Sequence, residues 1–269
     1  MIESNIAQKR AELSGRATHI LDARTLASSH KRLTELLTEG MTVLDIGCGT
    51  GTITRGIAEI VGAGGRVVGV DSNPALINKA RQLHQDVPGL EFEVADIFNL
   101  TYQDEFHIVT SARVLQWLSN PLKALETMKS ATKIGGKVLI LDYNHEKISW
   151  EPEPPLSMQS FYASFLKWRS DAGMDNAIAD NLKTLFKQVG LNETIISPQH
   201  EITNRMDHDF HERISIWTDV AASRGIQMVE DGYITDRERA TAENEYRKWI
   251  DQSAVSQGMY LLAVEGIKN

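Results

Sequence analysis

The sequence has little of what several common kinds of site are built from. Its 269 residues include one cysteine, Cys48, which excludes an intrachain disulfide and a cysteine-rich metal or iron–sulfur centre. No apolar run approaches the roughly 18 residues of a membrane span. The N-terminal segment is polar and lacks the apolar core of a signal peptide. We therefore expect a cytoplasmic protein that does not enter the membrane.

Positive charge is also scarce. Lysine and arginine number 28 against 36 aspartates and glutamates, so the formal net charge is −8. The basic residues form no long cluster, and an acidic surface repels the phosphate backbone of nucleic acid. Hydrophobic residues make up 42% and charged residues 24%, which are ordinary values for a globular protein. We expect a small-molecule ligand and no nucleic-acid partner.

The chain is organised around residues 41–71. An apolar run from Thr42 leads into the glycine turn Gly47-Cys48-Gly49-Thr50-Gly51, and a helical segment and a second β-branched run then end at Asp71. This order of strand, turn, helix and strand is one βαβ unit. The free N–H groups of the helix and a carboxylate about twenty residues past the turn are typical of a nucleoside site, in which the carboxylate binds the ribose hydroxyls.

Two residues decide between nucleosides. The dinucleotide fingerprint G-x-G-x-x-G/A requires a small residue where this chain has Thr52. Asp45 lies two positions before the first glycine, where it would repel a pyrophosphate but suits a ligand with an ammonium group. VLDIGCGTG resembles motif I of the class I S-adenosylmethionine-dependent methyltransferases, GVDSNP their acidic second motif, and FEVADI their adenine-binding segment.

The resemblance implies S-adenosyl-L-methionine as cofactor, on a core like that of the ubiquinone-biosynthesis methyltransferases. It implies that Asp96 accepts a hydrogen bond from the adenine amino group and that Ile97 packs on the ring. The cofactor-binding residues that it implies are Asp45, Gly47, Cys48, Gly49, Gly51, Asp71, Ser72, Ala95, Asp96, Ile97, Ser111, Ala112 and Arg113.

Strands alternate with helices beyond this unit, which predicts an α/β fold with a mostly parallel sheet covered on both faces. The resemblance implies a Rossmann-like sheet of seven strands, the last one antiparallel between the fifth and sixth, with helical cap insertions. The expected divisions are 1–40, N-terminal helices covering the cofactor site; 41–145, the cofactor-binding core; 146–190, an insertion and the helix before strand six; 191–203, a core strand; 204–257, a second cap insertion; and 258–269, the closing strand.

In the resembling family the leading helices cover the cofactor, so Arg16, His19 or Arg24 could reach it. These residues are also typical of exposed helix faces. The two insertions are rich in aromatic residues, and loops at the carboxyl edge of a sheet can form a lid over a reacting centre. The substrate-pocket candidates are Tyr143, Trp150, Phe161, Tyr162, Trp168 and Trp217. Aromatic residues at helical spacing more often belong to a core than to a ligand site, and this alternative stays open.

Methyl transfer from a sulfonium needs mainly the correct placement of the acceptor atom, and a base only where the acceptor holds a proton. His145 is the catalytic candidate, because it follows the fifth strand and an unperturbed histidine titrates near neutrality; a satisfied surface histidine is the alternative. His208 and His211 with Glu212 do not have the HExxH spacing. The fourth strand ends in Ser111, without the acid of the catechol-type magnesium site. No metal is predicted.

The function predicted from the sequence is methyl transfer to an oxygen or nitrogen of a small-molecule acceptor, in a pocket capped by the aromatic-rich insertions. The alternatives are a protein or RNA methyltransferase, a catalytically silent S-adenosylmethionine-binding module, and a nicotinamide dehydrogenase. Thr52 and Asp45 disfavour the last of these. The sequence carries no signal for the identity of the acceptor or for an oligomeric state.

Overall fold

The computed structural model describes residues 2–11 and 24–269, so that Arg16 and His19 lie outside the described residues. One sheet of eight strands organises this part of the chain, in the order β3-β2-β1-β4-β5-β8-β6, with β7 paired to β8. The strands are β1 Thr42–Ile46, β2 Arg66–Asp71, β3 Leu90–Val94, β4 Phe106–Ala112, β5 Thr132–Glu151, β6 Leu191–Pro198, β7 Glu201–Asn204 and β8 Ser256–Lys268.

The first five strands run parallel, and β8 pairs antiparallel with both β5 and β6. The α/β class and the antiparallel last strand between the fifth and sixth are therefore confirmed. Seven strands were predicted, and the additional one is β7. It pairs with the first residues of β8, from Glu201↔Met259 to Asn204↔Ser256, and so lengthens the sheet beyond the carboxyl ends of the parallel strands.

The fifth strand is long, with 20 residues from Thr132 to Glu151. It continues through Glu151, because the early part of β8 pairs with it as far as Glu151↔Ser256. His145 thus lies inside a strand and not after one. Trp150, one of the substrate-pocket candidates, also belongs to this strand.

Helices cover both faces of the sheet. In the described residues they are α1 Ile2–Ala11, α2 Leu26–Ser29, α3 Lys31–Leu36, α4 Thr52–Val61, α5 Pro74–Leu83, α6 Pro121–Ala131, α7 Leu156–Ser170, α8 Ile178–Gln188, α9 Phe210–Ile214, α10 Ile216–Ala222, α11 Arg224–Glu230 and α12 Asp236–Gln252. The helix α4 is the helical segment that the sequence predicts after the glycine turn. Within residues 2–11 and 24–269, no helix combines the length and apolar character that crossing a membrane requires.

Successive side chains of a strand point to opposite faces, and each face has its own core. Val43 of β1 packs in a cluster with residues of α2 to α4, α7 and α9 to α12. Its neighbour Leu44 packs in a second cluster with residues of α6 and α8. The segments predicted as cap insertions therefore supply most of one face of the molecule, as α7 and as the four helices between β7 and β8.

Candidate functional site

One cavity of about 660 Å³ lies at the carboxyl ends of β1, β2, β4 and β5. Its lining residues also come from α1, from the segment after β3, and from α7, α10 and α11. Parallel sheets of this kind bind ligands at this edge, and the volume falls within the usual range of ligand pockets. This cavity therefore lies at the edge of the sheet where the sequence motifs predict the cofactor. The aromatic helices of the insertions line the same cavity.

The glycine turn after β1 forms the floor of one end. Gly47 and Gly49 have φ of +75° and +57°, in the region that L side chains rarely adopt. A Cβ on Gly47 would collide with the side chain of Val114, and the Gly47 N–H donates to Val70 O at 2.7 Å. Both glycines line the cavity, so the bare backbone is exposed to whatever binds there.

Asp71 lies at the end of β2 and lines the same end of the cavity. Its Oδ2 accepts from the Gly49 N–H at 3.0 Å and its Oδ1 from the Asn73 N–H at 2.9 Å. Burial raises the pKa of Asp71 above its ordinary value. Each carboxylate oxygen retains a second lone pair, which is suitable for accepting ligand hydroxyl groups.

Asp96 and Ile97 form the adjacent wall, together with Ala95. Asp96 caps a 3₁₀ turn, Ile97–Asn99, by accepting from the Phe98 N–H at 3.0 Å through its Oδ1. The cap fixes the orientation of the carboxyl group at the cavity edge. The structure brings nine of the predicted cofactor-binding residues to the cavity: Gly47, Gly49, Asp71, Ser72, Ala95, Asp96, Ile97, Ala112 and Arg113.

Four predicted cofactor-binding residues are not in the cavity lining, and two of them bind the framework instead. Asp45 is buried, and its Oδ2 accepts from the Thr54 hydroxyl at 2.7 Å, which fixes the first turn of α4 to β1. Burial raises the pKa of Asp45 to about 6. The Ser111 hydroxyl donates to Ile46 O at 3.0 Å and so ties β4 to β1.

The other two, Cys48 and Gly51, lie on the side of the turn that faces β3 and α5. Cys48 packs against the small cluster of Ile77, Ala80 and Phe92. Gly51, with φ of +81°, precedes α4, and a Cβ there would come within 2.5 Å of the Phe92 ring. The sequence motif does not show which residues of the glycine turn face the ligand cavity and which face β3 and α5, so these two residues were wrongly grouped with the others.

A buried cluster of charged groups stands between the two ends of the cavity. Arg113, with φ of +63°, donates through Nε to the Tyr143 hydroxyl at 3.0 Å and through Nη2 to Ser29 O at 3.2 Å. It also forms an ion pair with Glu201. Arg24 lines the cavity beside this cluster, where burial and the charge of Arg113 lower its pKa. Glu201 belongs to β7, so the unpredicted strand completes the cluster.

The second end of the cavity has aromatic walls. Two of the substrate-pocket candidates, Tyr143 and Trp217, line it, and Trp117 and Phe165 line it too. The other pocket candidates, Trp150, Phe161, Tyr162 and Trp168, are not in the lining. They pack behind the wall: Trp150 donates to Tyr246 and Gln257 at 3.1 Å each, and the rings of Tyr162 and Trp217 lie 4.6 Å apart.

His145 lines this aromatic end and is 5% exposed. The surface-histidine alternative is therefore wrong, and so is the assumption that the residue titrates near neutrality. Burial, and secondarily the positive charge of Arg169, lower the pKa of His145 well below its ordinary value of 6.5. The imidazole is neutral at physiological pH. Its Nε2 lies 2.6 Å from Oε1 of Gln116, a cavity residue that was not predicted as part of the site.

Helix α1 closes one side of the cavity with Ala7, Gln8 and Ala11. Arg10 holds the helix in place: its Nε donates to Asp231 Oδ2 at 3.0 Å, and its guanidinium lies 4.7 Å from the Trp168 ring centre. That N-terminal helices cover the cofactor itself stays a prediction. Within the described ranges, no group of three or more His, Cys, Asp or Glu side chains could hold a metal ion.

Comparison with known proteins gives the following matches. The profile of a methyltransferase domain family matches residues 37–190. A ubiquinone/menaquinone biosynthesis C-methyltransferase of Idiomarina loihiensis is 37% identical over 109 residues, which cover 39% of this chain and 43% of that protein. A demethylmenaquinone methyltransferase of Staphylococcus epidermidis is 26% identical over 210 residues, which cover 71% of this chain and 84% of that protein.

Among solved structures, the phosphoethanolamine N-methyltransferase 2 of Haemonchus contortus, in complex with phosphomonomethylethanolamine and S-adenosylhomocysteine, has a TM-score of 0.55 at 19% identity. The match covers 88% of this chain and 52% of that chain and reflects a shared fold. The chain spans only 30% to 51% of the length of several curated relatives that it matches.

Proposed function

The chain belongs to the class I S-adenosylmethionine-dependent methyltransferases, and from this premise we propose that it transfers a methyl group to an oxygen or nitrogen of a small-molecule acceptor. The observation that carries the proposal is a cavity that joins the glycine turn and Asp71 at one end to an aromatic pocket with a buried neutral histidine at the other. A binding module without catalysis would have no need of the second end.

The residues at the first end fit the cofactor. The Asp71 carboxylate has lone pairs left for two ribose hydroxyls, and the bare backbone at Gly47 leaves room that a side chain would fill. Asp96 and Ile97 offer an acceptor and an apolar surface for a purine. When bound, S-adenosylmethionine supplies a methyl group on a positively charged sulfur, which is already an activated leaving group.

The residues of the second end position the acceptor and exclude water. The rings of Phe165 and Trp217 stand 5.7 Å apart edge to face and leave an apolar wall suited to a flat organic molecule. Placing the acceptor atom supplies most of the rate enhancement in such a transfer. His145 lies beside the expected position of the methyl acceptor and can take up a proton. An oxygen or nitrogen atom that carries a hydrogen must lose this proton when it is methylated.

The quinone relatives suggest carbon as an alternative acceptor atom, since one of them is named a C-methyltransferase. The net charge of −8 argues against RNA as the acceptor. We would test the proposal by calorimetric titration with S-adenosylmethionine and S-adenosylhomocysteine, with NADH as control, followed by a labelled-methyl screen of carboxylic acids, phenols, amines and naphthoquinols. Binding of NADH alone would overturn the cofactor assignment. Methylation of the naphthoquinol alone, with the methyl group on a ring carbon in the NMR spectrum of the product, would move the target to carbon; a methyl ether would keep it on oxygen.

Removal of the Asp71 carboxylate is the sharpest test of the cofactor end. We expect Asp71→Ala to weaken S-adenosylhomocysteine binding by about 10- to 100-fold, because charge-assisted hydrogen bonds are each worth about 1.5–3 kcal/mol. The measurement is calorimetry, with Asp86→Ala, an exposed carboxylate on the turn after α5, as the matched control. Equal affinity of the Asp71 variant and wild type would place the ribose contact elsewhere.

A further inference from the structure

The side chain of Gln116 has one possible orientation. Its Nε2 donates to the backbone carbonyl of Arg113 at 3.1 Å. A carbonyl oxygen only accepts, so the amide NH₂ must point toward Arg113 and Oε1 must point away from it. The main chain of Gln116 is fixed as well: its N–H donates to Asp142 Oδ2 at 3.1 Å, and its carbonyl accepts from Arg169 Nη2 at 2.8 Å.

This orientation decides the tautomer of His145. Oε1 of Gln116 lies 2.6 Å from Nε2 of the histidine, and an amide oxygen can only accept, so Nε2 carries the hydrogen. A neutral imidazole has one N–H, which leaves the lone pair on Nδ1. The residue itself is anchored on both sides of its peptide unit: its N–H donates to Asn176 O at 2.7 Å, and its carbonyl accepts from the Tyr162 hydroxyl at 2.5 Å.

The Nδ1 lone pair has no hydrogen-bond partner in the described part of the chain, although the atom is buried. Leaving a buried acceptor unpaired costs about 1–3 kcal/mol. The ring belongs to the cavity lining and is surrounded by the rings of Tyr143, Phe165 and Trp217 at 5.4, 6.0 and 6.4 Å. A hydrogen-bond donor that arrives with a ligand would satisfy this atom.

We propose that Gln116 is a positioning residue that holds His145 as the Nε2–H tautomer, so that Nδ1 accepts a hydrogen bond from an O–H or N–H group of the methyl acceptor. The inference rests on the proposed function and narrows its substrate class to acceptors with a proton on the reacting atom, next to a flat apolar body. Gln116 itself does not contact the reacting atoms in this scheme; it acts through His145.

The proton balance follows from this geometry. As the acceptor atom bonds to the methyl carbon, the sulfur keeps the electron pair of the broken carbon–sulfur bond, and the proton lost by the acceptor moves to Nδ1. The resulting imidazolium keeps its Nε2–H bond to Gln116. The fully buried Arg169 nearby disfavours this charge, and no carboxylate of residues 2–11 or 24–269 is hydrogen-bonded to the ring. The histidine therefore returns readily to its neutral form by releasing the proton to water that enters the cavity after the product has left.

The first test needs no substrate. In ¹⁵N-histidine-labelled protein, two-bond ¹H–¹⁵N correlation spectra distinguish the two neutral tautomers, and the His145 signals are those absent from His145→Gln. We expect a protonated Nε2 and an unprotonated Nδ1 in the wild type. A wild type with the hydrogen on Nδ1 would overturn the inference whether or not the protein proves active.

Two variants then separate positioning from mere packing. Gln116→Met fills the same space without an acceptor, so we expect a mixture of tautomers and a kcat about 10- to 100-fold lower, with unchanged affinity for S-adenosylhomocysteine. Gln116→Glu keeps an acceptor for Nε2–H, so we expect it to restore the wild-type tautomer and to recover more of the rate than Gln116→Met. Equal tautomer populations and equal rates in Gln116→Met and wild type would refute the positioning role.

The two proposals fail in different ways. The expected tautomer in a protein that methylates none of the screened acceptors would leave the tautomer assignment standing and remove the proposed function. Methylation of phenols or amines by a wild type with the opposite tautomer would do the reverse. Turnover of carbon acceptors only, unaffected by Gln116→Met, would refute the narrowed substrate class while leaving methyl transfer intact.

Discussion

His30 shows what burial does to a single ionisable side chain in this molecule. It lies between α2 and α3, is fully buried, and has its Nε2 3.2 Å from the Thr110 hydroxyl. Burial, with a further effect from the positive charge of Arg113, lowers the pKa of His30 to about 3. The unfolded chain therefore binds a proton at this residue at a higher pH than the folded protein does, and folding is opposed by acid.

The sign of this linkage gives a prediction. Because the pKa is lower in the folded state, the stabilising effect is fully present above about pH 6.5 and is lost as the pH falls towards 3, by up to about 1.4 kcal/mol per pH unit. We expect His30→Gln, which can still bond to Thr110, to have a shallower loss of stability over this range. Urea unfolding at pH 7, 6, 5 and 4 measures it; parallel pH profiles for the two proteins would contradict the assignment.

Residues of the glycine turn and Asp71 could be predicted from the sequence because they act through local geometry: a positive φ, a free helix N-terminus and a carboxylate at a strand end. His145 was selected for a wrong reason, because it is buried inside a strand and does not titrate near neutrality, and its catalytic role stays a prediction. Its burial depends on Phe165 and Trp217, which come from distant segments. Gln116 could not be recognised at all, because its role requires knowing which histidine nitrogen it faces.

At the scale of elements, a buried carboxylate joins α3 to the middle of the sheet. Glu265 of β8 is 2% exposed and accepts from Arg32 Nε at 2.6 Å and from Lys137 Nζ at 2.7 Å. It thereby connects the N-terminal helices, the fifth strand and the last strand. Removing one partner of such a group leaves the others with uncompensated charge.

We expect Glu265→Gln to lower the free energy of unfolding by about 1–3 kcal/mol, less than for a fully buried pair because Arg32 and Lys137 are partly exposed. Glu35→Gln is the matched control, since Glu35 pairs with the same Arg32 at 2.6 Å but is exposed. Its removal should cost less than about 1 kcal/mol. Urea denaturation of both variants measures the difference, and equal costs would show that burial of Glu265 does not matter.

The order and type of the elements were predictable from the alternation of apolar runs and helical segments, but their lengths at the cavity were not. The strand β5 extends to Glu151 only because β8 continues alongside it, and the two segments are more than a hundred residues apart in sequence. The strand β7 likewise forms only because β8 pairs with it. Hydrophobic periodicity predicts which residues of a segment are buried. It does not predict which residues of two distant strands pair with each other.

At the scale of the whole molecule, the cavity draws its walls from α1, from the parallel strands and from the helices between β7 and β8. A ligand that contacts all three parts binds only the folded state. We therefore expect S-adenosylhomocysteine at 100 times its dissociation constant to raise the free energy of unfolding by about 2.7 kcal/mol. A thermal-shift titration tests this, and Asp71→Ala should need a correspondingly higher ligand concentration for the same shift.

The place of β8 has a consequence for synthesis. This strand follows every other described element in the chain, yet it lies between β5 and β6 and also carries β7. A ribosome that has delivered residues 1–250 holds a nascent chain whose β6 and β7 have no partner, and whose β5 has one open edge. Unpaired edges of this kind invite wrong pairing, and domains otherwise fold progressively from the N-terminal side as they emerge. The pairings of β8 with β5, β6 and β7 can form only after the ribosome has synthesised β8.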